Sequence, residues 1–140
     1  MTSQSGYIVF YLLLSNEKIR DYLRDLLQRS RYHPKLMASL DELINGLKRG
    51  DEAIVFLDNE AVGIYGVSIY SKIKAAVPRK KIILLCDQAH RSLIKEAMQY
   101  GIYGCILEPY AEWEVLTMVR HVLSDMQPRK KKSRKSKKKS

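Results

Sequence analysis

Residues 53–58 read Ala-Ile-Val-Phe-Leu-Asp, five apolar side chains in succession that end abruptly in a carboxylate. A half-exposed strand would alternate apolar with polar residues; a run with no polar face is expected of a strand covered on both sides, the situation of parallel sheets. Two runs of the same kind flank it: Tyr7 to Leu14 (YIVFYLLL) upstream and Lys81 to Leu85 (KIILL) downstream.

The segments between these runs carry helical periodicity. Ser15 and Asn16 can cap a helix in which Ile19, Tyr22, Leu23, Leu26 and Leu27 recur at three-and-four spacing. Lys35 to Ala38 reads as a short, weak strand, and Ser39-x-x-Glu42 is a capping box ahead of Leu40, Leu43, Ile44 and Leu47, with Gly50 as the stop. After Asp58 the sequence predicts a loop over Asn59 to Ile64, then a helix carrying Val67, Ile69, Tyr70 and Ile73 up to Val77-Pro78. A helix from about Arg91 to Tyr100 stops at Gly101, Gly104 to Leu107 is a short strand, and Glu112 to Met126 is the last helix. Five strands alternating with five helices through short connections require right-handed crossovers, and hence a doubly wound α/β fold: a five-stranded parallel sheet with helices on both faces.

With 140 residues, one domain is expected, placed at 1–127. Two cysteines cannot build a disulfide scaffold or complete a zinc site with three dispersed histidines, so no structural metal is expected. The longest apolar run is far short of the ~20 residues that cross a bilayer, and no cationic leader precedes a signal-peptide core, so a cytoplasmic protein with reduced thiols and no membrane span is expected. The net charge of +10 is concentrated at one end. Nine of the 25 basic side chains fall in residues 129–140, leaving sixteen against fifteen acids and a net of +1 in 1–128. A segment of Lys, Arg and Ser after Pro128 has no apolar group to offset the entropy of ordering, so 128–140 is expected to be a disordered tail. Its cations, Arg129, Lys130, Lys131, Lys132, Arg134, Lys135, Lys137, Lys138 and Lys139, could bind nucleic acid without sequence preference, lie on an anionic membrane, or stay solvated.

In doubly wound folds ligand chemistry sits beyond the carboxyl ends of the strands, here at Leu14, Ser15 and Asn16, at Asp58, at Cys86 and Asp87, and at Glu108. No Gly-rich phosphate cradle follows the first strand, which argues against nucleotide binding of that kind. Ile54 to Asp58 with Gly63 and Gly66 downstream, Ile82 to Leu85, and Tyr100-Gly101-Ile102-Tyr103-Gly104-Cys105-Ile106-Leu107-Glu108-Pro109-Tyr110 together resemble the receiver domain of two-component response regulators over nearly all of residues 7–126. The resemblance implies the flavodoxin-like strand order 2-1-3-4-5, a role in signal transduction, and Asp58 as the position of the phosphoryl acceptor.

Carried over residue by residue, that resemblance also implies departures. The acidic pair that helps hold Mg²⁺ in the family falls on Leu14 and Ser15, the switch Ser or Thr on Cys86, and the Lys that contacts the phosphoryl group on Glu108. Phosphoryl transfer depends on cations that neutralise the transferred oxygens. At Glu108 the cation becomes an anion; two unit charges ~4 Å apart in an effective dielectric of ~20 interact by about 4 kcal/mol. A degenerate receiver, without catalytic residues or cofactor and acting through protein–protein contact, is therefore expected. The alternative is a working phosphoacceptor, with Mg²⁺ at the site; a rearranged set of Glu17, Glu60, Asp87 and Glu108 is a minor variant of it. The resemblance implies that a signalling partner, or a second copy of the chain, docks on the fourth helix, fifth strand and fifth helix of this reading. Tyr103, Tyr110 and Trp113 are the expected surface contacts there. Cys86 and Cys105 read as small apolar filler, with the Cys86 thiol raised by its acidic surroundings.

Overall fold

The computed structural model describes residues 8–49, 52–76 and 80–126. The expected tail, the stops at Gly50 and Val77-Pro78, and Tyr7 lie outside the described residues. The strands are β1 (Ile8–Leu13), β2 (Pro34–Leu36), β3 (Glu52–Asp58), β4 (Lys80–Cys86) and β5 (Gly104–Leu107). They form one parallel sheet in the order β2-β1-β3-β4-β5. Leu13 pairs with Leu57, and Asp58 with Leu85, so β1, β3 and β4 end side by side.

The unbroken apolar runs have the predicted cause. Along β1, Val9, Tyr11 and Leu13 pack on one face of the sheet while Phe10, Leu12 and Leu14 pack on the other. In β3 and β4 the same alternation sends Val55, Leu57, Ile82 and Leu84 to the first face and Ile54, Phe56, Ile83 and Leu85 to the second. Helices α1 (Glu17–Arg29) and α6 (Glu112–Asp125) cover the second face through Leu23, Leu26, Leu27, Val115, Val119 and Val122. The first face is covered by α2 (Leu40–Leu47), α3 (Asn59–Tyr65), α4 (Ser68–Ala76) and α5 (Ser92–Gln99).

One expectation fails here. Residues 59–64 are not a loop but most of α3, and the β3–β4 connection holds two helices rather than one. Asp58 causes the first difference, because its side chain caps α3 by accepting the Ala61 N–H. Gly66, with φ of 82°, causes the second: its N–H closes on the Val62 carbonyl in a backbone conformation that L side chains rarely adopt, and the chain restarts as α4.

Candidate functional site

The site is built where β1, β3, β4 and β5 end, and its centre is Asp58. The carboxylate is fully buried. Its Oδ1 accepts the N–H of Ser15 at 3.1 Å and of Ala61 at 2.8 Å, and its Oδ2 accepts the N–H of Asn16 at 2.8 Å. Three backbone donors thus occupy three of the roughly four lone-pair positions of a carboxylate. The N–H groups of Ser15 and Asn16 point at β3 because the chain turns there into α1, which Asn16 caps by accepting the Ile19 N–H through its Oδ1. The same Asn16 donates from Nδ2 to Glu60 at 2.8 Å, so the β1–α1 and β3–α3 turns are tied twice.

The lacing continues across the sheet. Asn59, almost buried, accepts the N–H of Asp87 at 3.0 Å, which joins the end of β3 to the end of β4. Asp87 in turn caps the short 3-10 turn Gln88–His90, accepting the His90 N–H at 3.0 Å and lying 2.6 Å from the His90 Nδ1. That ring holds the Asp87 carboxyl below its ordinary range. Gln88 then reaches β5: its N–H donates to the Glu108 carboxylate at 3.1 Å and its side-chain amide donates to the Glu108 carbonyl at 2.8 Å. The peptide bond from Glu108 to Pro109 is cis.

The sequence model of the response regulator receiver domain matches residues 15–120. The chain belongs to the response regulator receiver domain family. It is 26% identical over 101 residues to the C4-dicarboxylate transport transcriptional regulatory protein DctD of Rhizobium meliloti (strain 1021), covering 72% of this chain and 22% of that protein. It is 26% identical over 73 residues to the uncharacterized transcriptional regulatory protein YesN of Bacillus subtilis (strain 168), covering 52% of this chain and 20% of that protein. The receiver domain thus spans about a fifth of each of these relatives. Full-length FixJ from B. japonicum shares the fold with a TM-score of 0.76 at 20% identity, covering 87% of this chain and 60% of that one.

In this receiver domain, the positions matched to the family's metal-holding acids are not side chains of the site. Leu14 is buried in the core beneath α1 and α6, and Ser15 contributes its backbone N–H. Among the described residues no three His, Cys, Asp or Glu side chains come together so as to hold a metal ion. The carboxylates of the edge fail to converge for a visible reason: Glu60 is bonded to Asn16, Asp87 to Asn59 and His90, and Glu108 to Gln88. The donor set therefore does not fit Mg²⁺. Glu108 and Asp58 have different surroundings. The former is exposed, the latter buried, and backbone N–H groups satisfy both.

Cys86 is buried and its thiol lies 3.1 Å from the His90 carbonyl; burial, with the nearby Asp87, pushes it up to about 11. Burial also pushes Cys105 up to about 11, and both are free thiols. Of the three expected surface residues, Trp113 is 70% exposed and Tyr103 half-buried with its hydroxyl on Asp125 at 2.6 Å, but Tyr110 is not a surface contact. It lies in the core at 7% exposure with φ of 58°, its carbonyl accepting the Tyr22 hydroxyl and its own buried hydroxyl without a partner among the described residues. The backbone turn after Pro109 aims its ring inward, which no side-chain pattern announces. Asn59 and Gln88 are not legible as site residues in the sequence because their partners lie 20 or more residues away, and His90, though bonded to nearby Asp87, joins the site through Asn59, 31 residues away.

Proposed function

We propose that this receiver domain signals through protein–protein contact and that its acceptor position serves as a structural joint rather than as a phosphorylation site. The observation that carries this reading is the buried Asp58 carboxylate, held by the N–H groups of Ser15, Asn16 and Ala61 and paired with no cation among the described residues. An incoming phosphoryl group would compete with those donors for the carboxylate oxygens and would find neither a metal-holding carboxylate at Leu14 or Ser15 nor a cation at Glu108 to neutralise its oxygens. Incubation with acetyl phosphate and Mg²⁺, read by intact mass, leaves the protein unmodified on this reading. A stoichiometric phosphate adduct that disappears in Asp58→Asn overturns it in favour of a working phosphoacceptor.

The partner surface in this reading comprises α5, β5 and α6, where Trp113, Met98 and Tyr100 stand exposed beside the half-buried Tyr103. The partner is a signalling protein or a second copy of the chain. The Lys/Arg-rich tail adds a separate electrostatic contact, sequence-indifferent, to a polyanion. What favours it is the place where α6 ends, at the amino edge of the sheet and away from the acidic carboxyl edge.

A further inference from the structure

The near-neutral charge of the folded body conceals a strong polarity. The strands are parallel, so the described residues that precede β2, β3 and β4 stand towards the amino edge of the sheet. Arg31 lies on the α1–β2 connection, Lys48 and Arg49 follow α2, Lys74 is in the last turn of α4, and Lys81 stands near the start of β4. Against these five cations, the acids of that edge among the described residues are Glu52 and Asp125. The carboxyl edge has the opposite balance, with Glu17, Glu42, Glu60, Asp87, Glu108 and Glu112 against the cations Lys18, Arg20 and Arg91, of which Arg20 is paired with Glu17. Helix C-termini favour cations through their dipoles, which accounts for one or two of these residues but not for five cations against two acids.

We propose that the amino edge of the sheet is a contact surface for the phosphodiester backbone of double-stranded DNA, separate from the contact proposed above for the Lys/Arg-rich tail. From β2 to β4 is three strand spacings, so the cations stand on a rigid front on the order of 14 Å wide. A duplex offers a matching rigid array of phosphates. A single strand would instead need free aromatic faces for its bases, and each of those nearby already has one face in contact. Tyr100 stacks on Tyr70 at 5.4 Å between centroids, and Lys81 lies 5.7 Å over the Tyr103 ring. An anionic bilayer would need a firm apolar anchor beside the cations; Met98 and Tyr100 are exposed at the end of α5 near Lys74, while Trp113, the most exposed of the large apolar side chains, lies in the first turn of α6 at the opposite edge, so the vesicle arm of the test decides between bilayer and duplex. This surface extends the reading of the tail as a polyanion contact to the folded body, and it reads no bases, because among the described residues no helix or ribbon projects from the edge into a groove.

The test uses the full-length chain and a labelled 20-base-pair duplex at about 0.1 M salt, where screening over ~10 Å separates the two edges electrically. Anisotropy titrations compare the parent with Lys48→Glu/Arg49→Glu and with the charge-matched Lys18→Glu/Arg91→Glu at the carboxyl edge. The first pair weakens binding by about tenfold or more and lowers the slope of log affinity against log salt by about 2, while the matched pair changes affinity less than about twofold. Circular dichroism verifies folding; should the Glu pair be unfolded, Lys48→Gln/Arg49→Gln gives a smaller loss in the same direction. A second full-length variant, with the nine tail cations replaced by Gln, separates the two readings. Parent-like affinity that is still lost in Lys48→Glu/Arg49→Glu overturns the tail contact and upholds the edge. Abolished binding in the tail variant, with none lost in the edge pair, overturns the edge and upholds the tail. Absence of duplex binding by the parent overturns both. Equal losses from the two charge-swapped pairs, or edge-dependent binding to phosphatidylserine vesicles but not to DNA, also overturn the proposal.

Discussion

Asp58 and Asn16, 42 residues apart in the chain, are joined at 2.8 Å by a hydrogen bond from the Asn16 backbone N–H to the Asp58 carboxylate. With the Ser15 and Ala61 N–H groups on the other carboxylate oxygen, this makes Asp58 a clamp between the ends of β1 and β3. Removing the carboxylate strands three backbone donors, each costing about 1–3 kcal/mol when buried and less where water can reach it. Asp58→Ala is therefore expected to lose about 2–4 kcal/mol in urea denaturation, and Asp58→Asn, which keeps one acceptor oxygen, about half as much. A loss under about 0.5 kcal/mol in both variants would show that the clamp is idle.

Restoring the family's charges on this scaffold should prove costly at one position and ineffective at the others. Leu14 is buried at 3% exposure, so Leu14→Asp places a carboxylate in the α1–α6 core and is expected to cost about 3 kcal/mol or more. Ser15→Asp with Glu108→Lys leaves the fold intact, yet the Asp58 oxygens remain bonded to backbone N–H groups. Titration calorimetry of that double variant should show no Mg²⁺ binding at millimolar concentrations; a clear binding isotherm would mean that the backbone bonds yield easily.

The hydroxyl of Tyr110 is buried without a partner among the described residues, and burial, followed by the negative charge of Glu108, raises it above the ordinary tyrosine range. An unsatisfied buried hydroxyl is a net cost that removing the oxygen relieves. Tyr110→Phe is expected to raise stability by about 1 kcal/mol in thermal or urea unfolding. A loss of similar size would show that the hydroxyl has found a partner, such as a bound water.

Cys86 and Cys105, both raised to about 11, bear on reactivity and on alkaline stability. An unfolded thiol titrates near 8.5, so at pH 8 the native thiolate fraction is lower on the order of 100-fold, and alkylation by iodoacetamide should be slower by at least that factor than in urea. Between about pH 8.5 and 11 the unfolded chain releases these protons while the folded chain keeps them, so stability is fully present below 8.5 and declines as pH rises. Tyr70 and Tyr103, each raised to about 12, act in the same direction from about pH 10 upward. Unfolding midpoints that stay level from pH 8 to 10.5 would contradict this.

The sequence by itself determined the architecture, because strands covered on both faces must be written as continuous apolar runs, and Ala53 to Leu57 admits no other placement consistent with the helical spacing on either side. It also determined which residues stand at the carboxyl edge, since strand ends and family matches are local in sequence. Tertiary structure decided what those residues do there. That Asp58 caps α3, and so turns a predicted loop into a helix, depends on the direction of one side chain. That Glu108 turns to Gln88, Glu60 to Asn16 and Asp87 to Asn59 depends on partners brought together by the sheet order. The same order collects the cations of separate connections on one edge and buries the ring of Tyr110. Periodicity reports which side of an element faces the core; it carries no information about which distant polar group a side chain will find there, because that choice is made by hydrogen-bond geometry only after the strands have aligned.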